Sequence, residues 1–228
     1  MNVLIIAAHP DDEILGCGGT IARHAASGDK VHIRILGEGM MSRADTRNDI
    51  QYRERLADLR ENSRKACSIL GASDVVHYDF PDNRMDSVDL LDVVRTVEGC
   101  IEQFRPEVIY SHHMGDLNID HAIVAKAVVT ATRPLPGNLI PEVYAFEVLS
   151  STEWSFGSGV DSFRPNYFIG IDDCLDKKIE AISIYQSETN PFPHPRSSEA
   201  IKTLAQLRGS QSGLKAAEAF MLIRKISR

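Results

Sequence analysis

Six consecutive residues near the start of the chain, Ala8-His9-Pro10-Asp11-Asp12-Glu13, concentrate one imidazole and three carboxylates. Crowded carboxylates repel and resist ionising together, and a bound cation removes that cost. A single acid here would be explained as a helix cap that also suits the helix dipole; His, Pro, two Asp and Glu in succession exceed what a cap needs. His9 and Asp12 are donors suited to zinc, and Asp11 is left beside them as a base. Far along the chain stands a second polar pair, Asp120-His121. Two donors close in sequence plus one distant donor is a common layout for a catalytic zinc that keeps one position open. This assigns His9, Asp12 and His121 as zinc ligands, with Asp120 and Glu13 as supporting carboxylates. Asp11 would take the proton as water attacks a carbonyl, which is the hydrolysis of an amide or ester.

The neighbouring elements must bring these residues together. Val3-Leu4-Ile5-Ile6-Ala7 is apolar and β-branched, as in a buried parallel strand, and residues 14–22 have helical spacing. The first cluster therefore lies on a strand-to-helix turn, on the edge where open α/β sheets bind ligands. Further strands are expected over 30–36, 75–80, 108–110, 142–149 and 166–171. Helices are expected over 49–70, 88–104, 122–132, 173–185, 198–208 and 212–219, with Gly209 separating the last two. Asp172 or Asp173 would cap the fifth helix, and residues 40–48 read as a surface loop on the ligand edge. Four successive βα units imply an α/β fold with a mostly parallel sheet, right-handed crossovers and helices on both faces. The last third reads as a covering layer, and no composition shift divides residues 1–228 into more than one domain.

The whole-chain properties narrow the class. At 228 residues the chain can bury a full core. A net charge of −7 argues against nucleic-acid or anionic-membrane partners, and no apolar stretch is long enough to span a bilayer. Cys17, Cys67, Cys100 and Cys174 form no CxxC pair, which points to reduced thiols in a cytoplasmic protein. The N-terminus lacks the pattern of a signal peptide. The oligomeric state is left open, a homo-oligomer included.

Ala8 to Glu13 after a first strand, continuing Ile-Leu-Gly-Cys-Gly-Gly-Thr-Ile-Ala, resembles the PIG-L/LmbE family of zinc-dependent N-acetylglucosaminyl deacetylases. The resemblance continues through Leu70-Gly71, Pro81-Asp82, Asp120-His121 and Gly213 to Phe220, nearly the whole chain. It implies a Rossmann-like sheet, zinc on His9, Asp12 and His121, and Asp11 as the base. It also implies loss of acetyl from a small N-acetylated amino sugar, or amide cleavage in a sugar–thiol conjugate. Many relatives have His-Pro-Asp-His where this chain has Asn118-Ile119-Asp120-His121, so a group that helps to hold the oxyanion is replaced. Asn118 can donate a hydrogen bond but carries no titrating proton. Either Asn118 performs a reduced version of that role, or His112, His113 or His194 supplies the acid for the leaving amine. The resemblance also implies that Asp82, and less cleanly Arg60, hold sugar hydroxyls. Arg84, Arg133 and Arg196 are loop cations that could grip a phosphate or carboxylate, although a solvated surface arginine is the ordinary case for each.

Three other readings compete. A nucleotide-binding module would need a Gly-x-Gly-x-x-Gly turn, and this turn is acidic instead. A receiver-like domain gathers acids for magnesium, which prefers oxygen to the imidazoles of His9 and His121. Within hydrolysis, the alternative is an amidase or esterase acting on a substrate that is not a sugar.

Overall fold

The computed structural model describes residues 1–39, 50–137, 139–156, 162–186 and 188–227. The expected loop over 40–48 lies outside the described residues. Among them, β1 (Asn2–Ala7), β2 (Lys30–Gly37), β3 (Asp74–Phe80), β4 (Val108–His112), β5 (Glu142–Phe146), β6 (Tyr167–Gly170) and β7 (Ala217–Lys225) form one sheet. Its order is β3-β2-β1-β4-β5-β7-β6. The first five strands are parallel, and β7 runs antiparallel to both β5 and β6. The helices are α1 (Asp12–Ala26), α2 (Ile50–Leu70), α3 (Leu90–Phe104), α4 (Ile119–Ala131), α5 (Leu175–Ser183) and α6 (Ser198–Ser212).

Strand β1 lies inside the sheet, between β2 and β4, and is buried on both faces, so its sequence shows no polar alternation. Val3, Ile5 and Ala7 pack in one core with side chains of α1, α2 and α5, whereas Leu4, Ile6 and Ala8 pack in the other with α3 and α4. The expected α/β sheet with helices on both faces is therefore present. Strand order reverses between β1 and β4, which opens a crevice beyond their carboxyl ends.

Helix α1 is kinked. Cys17 has φ −147° and ψ 27°, which frees backbone groups on either side. Glu218 of β7 accepts from Gly19 N–H at 2.9 Å and Thr20 N–H at 2.7 Å. Lys178 of α5 donates to Glu218 at 2.6 Å and to the Leu15 carbonyl at 2.8 Å. A buried ion pair thus supplies the partners that regular helix geometry would have supplied. A Cβ on Gly16 would fall 2.4 Å from the Phe146 ring, so only glycine lets α1 approach the sheet this closely.

The C-terminal third differs from the sequence expectation. Residues 217–219 belong to strand β7, not to a helix, and the third adds two strands to the sheet while α5 and α6 supply the cover. Gly209 does not interrupt α6, which ends at Gly213 with φ 75°. A Cβ on Gly209 would meet the Leu214 carbonyl oxygen at 2.7 Å, so this glycine serves a close chain crossing. The N-cap of α5 is Cys174 without a side-chain cap bond, and Asp172 instead accepts from Ala216 N–H at 2.8 Å. Strand β5 stops at Phe146, and α4 starts at Ile119, which puts Asp120 and His121 inside its first turn.

Candidate metal centre

The turn after β1 and the turn after β4 meet at the crevice. His9 Nδ1 lies 3.4 Å and His121 Nε2 lies 3.2 Å from the same oxygen, Asp12 Oδ2. One ligand atom from each of His9, Asp12 and His121 falls within a mutual 4.8 Å. His9, Asp82 and Asp120 satisfy the same distance criterion, so two sets of donors share one imidazole. Hydrogen bonding separates them. Asp120 accepts from Met85 N–H at 2.9 Å and Asn83 N–H at 2.6 Å, and Asp82 accepts from the Asn83 amide at 3.1 Å. Those acids are committed to the protein, and they face His9 Nε2 at 2.9 Å (Asp120) and 3.2 Å (Asp82). In the first set, Asp12 Oδ1 is buried and has no hydrogen-bond partner among the described residues. A carboxylate with one oxygen, Oδ2, between two imidazole nitrogens and the other, Oδ1, buried without a partner fits a cation held by His9, Asp12 and His121, with Asp120 and Asp82 bracing the far nitrogen of His9.

The electrostatics agree with that division. Burial alone would lower the His9 pKa, but Asp12 and Asp120 outweigh it and raise it to about 10. His121 is likewise raised to about 9, against burial, by Asp12 and Asp116. Burial would raise the Asp12 pKa, yet His121 and His9 hold it well below the usual carboxylate range. Protons on the two rings stand in for the positive charge that the carboxylate demands.

Asp116 is a residue that the sequence reading passed over. Its Oδ1 lies 3.1 Å from His121 Nδ1, although the ring N–H is not aimed squarely at it. Asp116 also accepts from the Ser151 hydroxyl, from Thr152 Oγ1 at 2.5 Å and from Asn118 N–H at 2.9 Å. Burial works against its charge, but these partners hold its pKa down to about 2. It therefore braces His121 as Asp120 braces His9. Its proximity to the Asp-His pair in sequence was the signal available.

Asp11 is the N-cap residue of α1 and has φ 108°, a backbone region that costs a non-glycine residue energy. Its N–H donates to Glu13 at 3.0 Å, and Glu13 is held by the Tyr185 hydroxyl at 2.8 Å. Burial pushes the Asp11 carboxyl up to about 8, although Arg196 pulls the other way, and burial pushes Glu13 up to about 7. Arg196 Nη1 donates to Asp11 Oδ2 at 2.6 Å. The sequence reading gave Arg196 only as one loop cation among three. The other two, Arg84 and Arg133, are exposed.

The remaining candidates are placed as follows. Asn118 caps α4: its carbonyl accepts from Asp120 N–H at 2.9 Å and its amide donates to Asn83 at 2.9 Å. Both ends of the side chain are thereby used. His112 Nε2 accepts from Ala8 N–H at 2.8 Å, and its ring stacks on His121 at 4.0 Å between centroids. Burial, with the His121 charge beside it, holds His112 neutral, so its proton is on the buried Nδ1 and it is poorly suited to deliver one to a leaving amine. His113 is buried with its ring edge against Phe163. His194 Nδ1 accepts from Arg196 N–H at 3.1 Å, and its ring meets Trp154 edge-on. Arg60 pairs with Asp79 at the end of β3, not with the residues gathered around His9. Asp82, read as a sugar ligand, faces His9.

Comparison with known proteins gives four results. The family model described as PIG-L: GlcNAc-PI de-N-acetylase matches residues 4–132. A probable N-acetyl-alpha-D-glucosaminyl L-malate deacetylase 2 of Bacillus cereus is 28% identical over 192 residues, 82% of this chain and 84% of the relative. A 4-oxalmesaconate hydratase of Pseudomonas putida is 32% identical over 200 residues, 79% of this chain and 71% of the relative. Among solved structures, a 4-carboxy-2-hydroxymuconate hydratase of Pseudomonas putida superposes with a TM-score of 0.78 at 26% identity, covering 100% of this chain and 98% of the other.

Proposed function

The chain belongs to the PIG-L family of GlcNAc-PI de-N-acetylases, and from that membership we propose that it is a zinc-dependent hydrolase removing acetyl from an N-acetylated amino sugar or its conjugate. The observation that carries the metal part of this reading is the Asp12 carboxylate, whose Oδ2 lies between the His9 and His121 ring nitrogens while its buried Oδ1 has no partner among the described residues. Two nitrogens and one carboxylate are a donor set that zinc accepts while keeping a position open. When bound, zinc would lower the pKa of water to about 7 and polarise the amide carbonyl. His9, Asp12 and His121 would hold it, with their orientation fixed by Asp120, Asp82 and Asp116.

Asp11 takes the proton as the water O–H bond breaks, and the electron pair left on that oxygen forms the bond to the acyl carbon. Cleavage of the C–N bond then leaves a nitrogen that needs a proton. Asn118 has none to give, and His112 is tied to Ala8. Asp11 therefore returns the proton it took, which yields the free amine and acetic acid, and the acid ionises to acetate in water. A carboxyl that burial pushes up and Arg196 holds at one oxygen is placed for both halves of that exchange. Residues 1–228 act as one domain, because β1 and β7 share a sheet and Glu218 of β7 fastens α1. No helix among the described residues is long and apolar enough to cross a membrane. We propose a cytoplasmic location from Cys17, Cys67, Cys100 and Cys174, all of them free thiols.

One finding favours a second reading: the similarity to hydratases that act on unsaturated carboxylates covers most of the chain. The test is an acetate-release assay of the zinc-loaded protein across N-acetylated sugars and sugar nucleotides, run beside unsaturated carboxylic acids followed by ultraviolet absorbance. Acetate release supports the deacetylase. Loss of conjugated absorbance without acetate from any sugar would replace it with the hydratase.

A further inference from the structure

We propose that Arg196 is a positioning residue for the reaction: it aims the Asp11 carboxylate and leaves Oδ1 to exchange the proton. The inference rests on Asp11 being the base. Nothing in helix geometry directs this side chain, because Asp11 precedes α1 with φ 108°. Its backbone is fixed through Glu13, but its carboxylate is gripped by Arg196 Nη1 at 2.6 Å. A charge-assisted contact of this length is strong and directional.

Arg196 is itself held on several sides. Its Nε donates to Ser150 Oγ at 2.7 Å, its N–H donates to His194 at 3.1 Å, and Nη1 lies 3.5 Å from Glu188. Ser150 stands beside Ser151 and Thr152, whose hydroxyls hold Asp116. The loop after β5 thus fixes both the brace of His121 and the arginine that orients Asp11. A guanidinium with its Nε and Nη1 assigned in this way cannot swing without breaking two contacts, which separates it from a solvated loop cation.

The test compares Arg196→Gln, Arg196→Lys and Arg196→Ala with wild type and Asp11→Asn, each loaded with zinc. The substrate is the acetylated sugar that gives the fastest acetate release. Arg196→Gln is expected to lose about 100-fold in kcat, the scale of a misaimed catalytic group. KM and zinc content should stay near wild type. Arg196→Lys should recover part of the rate, and added guanidinium should raise the rate of Arg196→Ala. A crystal structure of Arg196→Gln should show the Asp11 carboxylate turned while His9, Asp12 and His121 stay in place. Unchanged kcat in Arg196→Gln beside an inactive Asp11→Asn would overturn the inference and spare the base. An active Asp11→Asn would instead remove the premise. A raised KM at unchanged kcat would make Arg196 a substrate ligand, and an Asp11 carboxylate that keeps its orientation in Arg196→Gln also sinks the inference.

Discussion

Two buried clusters of charge lie along α1, one at its first turn and one around its kink, and they are completed differently. At the kink, Glu218 Oε1 accepts from Gly19 and Lys178, its Oε2 accepts from Thr20, and Lys178 also reaches Leu15. Both carboxylate oxygens of Glu218 thus have partners from the chain. At the first turn, Asp12 Oδ1 has none among the described residues, and two imidazoles with raised pKa values crowd its other oxygen, Oδ2. Both clusters consist of ionisable side chains almost out of water. The difference is satisfaction: a closed network maintains a shape, and an open one waits for something from outside the chain.

Four experiments can break or sharpen that contrast. The largest effect belongs to Asp11→Asn, which should keep stoichiometric zinc and lose about 10²- to 10⁴-fold in kcat, read from acetate release and metal analysis. A comparable loss of metal would move Asp11 into the ligand set. At the kink, Glu218→Gln should destabilise the fold by about 3–5 kcal/mol, because Lys178 is left buried without its counter-charge. The activity of the fraction that remains folded should change little, which denaturant melts and titrated active sites can separate. Asp116→Asn should weaken zinc affinity by about 10- to 100-fold through a loosened His121, measured by competition with a chelator. The fourth effect is read in protons. His9 titrates at about 10 and His121 at about 9, so both must lose a proton before their ring nitrogens can bind metal. Zinc uptake at pH 7 should therefore release protons, and each lower pH unit should cost about tenfold in affinity per ligand. Calorimetry in two buffers of different ionisation enthalpy counts them, and zero proton release would show that the rings are already neutral.

The parts of the molecule visible in its sequence are those where chemistry and local pattern coincide. The βα periodicity placed the turns after β1 and β4 on one edge, and the unusual run from His9 to Glu13 marked the first of them. Asp116 and the partners of Arg196 and Glu218 are not legible in the sequence, because folding, not spacing, brings each pair together. Arg196 stands 185 residues from Asp11, and a proline-rich loop carries no periodicity from which to infer its direction. Strand β7 was misread for a related reason: alanine and glutamate favour helix in isolation, but the slot between β5 and β6 overrides that preference. Gly209 was read as a stop although its role is to let another segment pass. Asn118 was weighed as a weakened catalyst, and its cap bond to Asp120 gives it a structural task that its residue type already favoured.

The placement of β7 bears on how the protein comes into being. Because β7 enters the sheet between two earlier strands, a growing polypeptide cannot complete its central layer until residues 217–225 have been made. Until then the bend in α1 has no Glu218 to quiet its loose amides, and the neighbouring turn that carries His9 and Asp12 rests on an unfinished support. Capture of the cation should therefore come as a late event in biosynthesis, after the last strand has closed the gap.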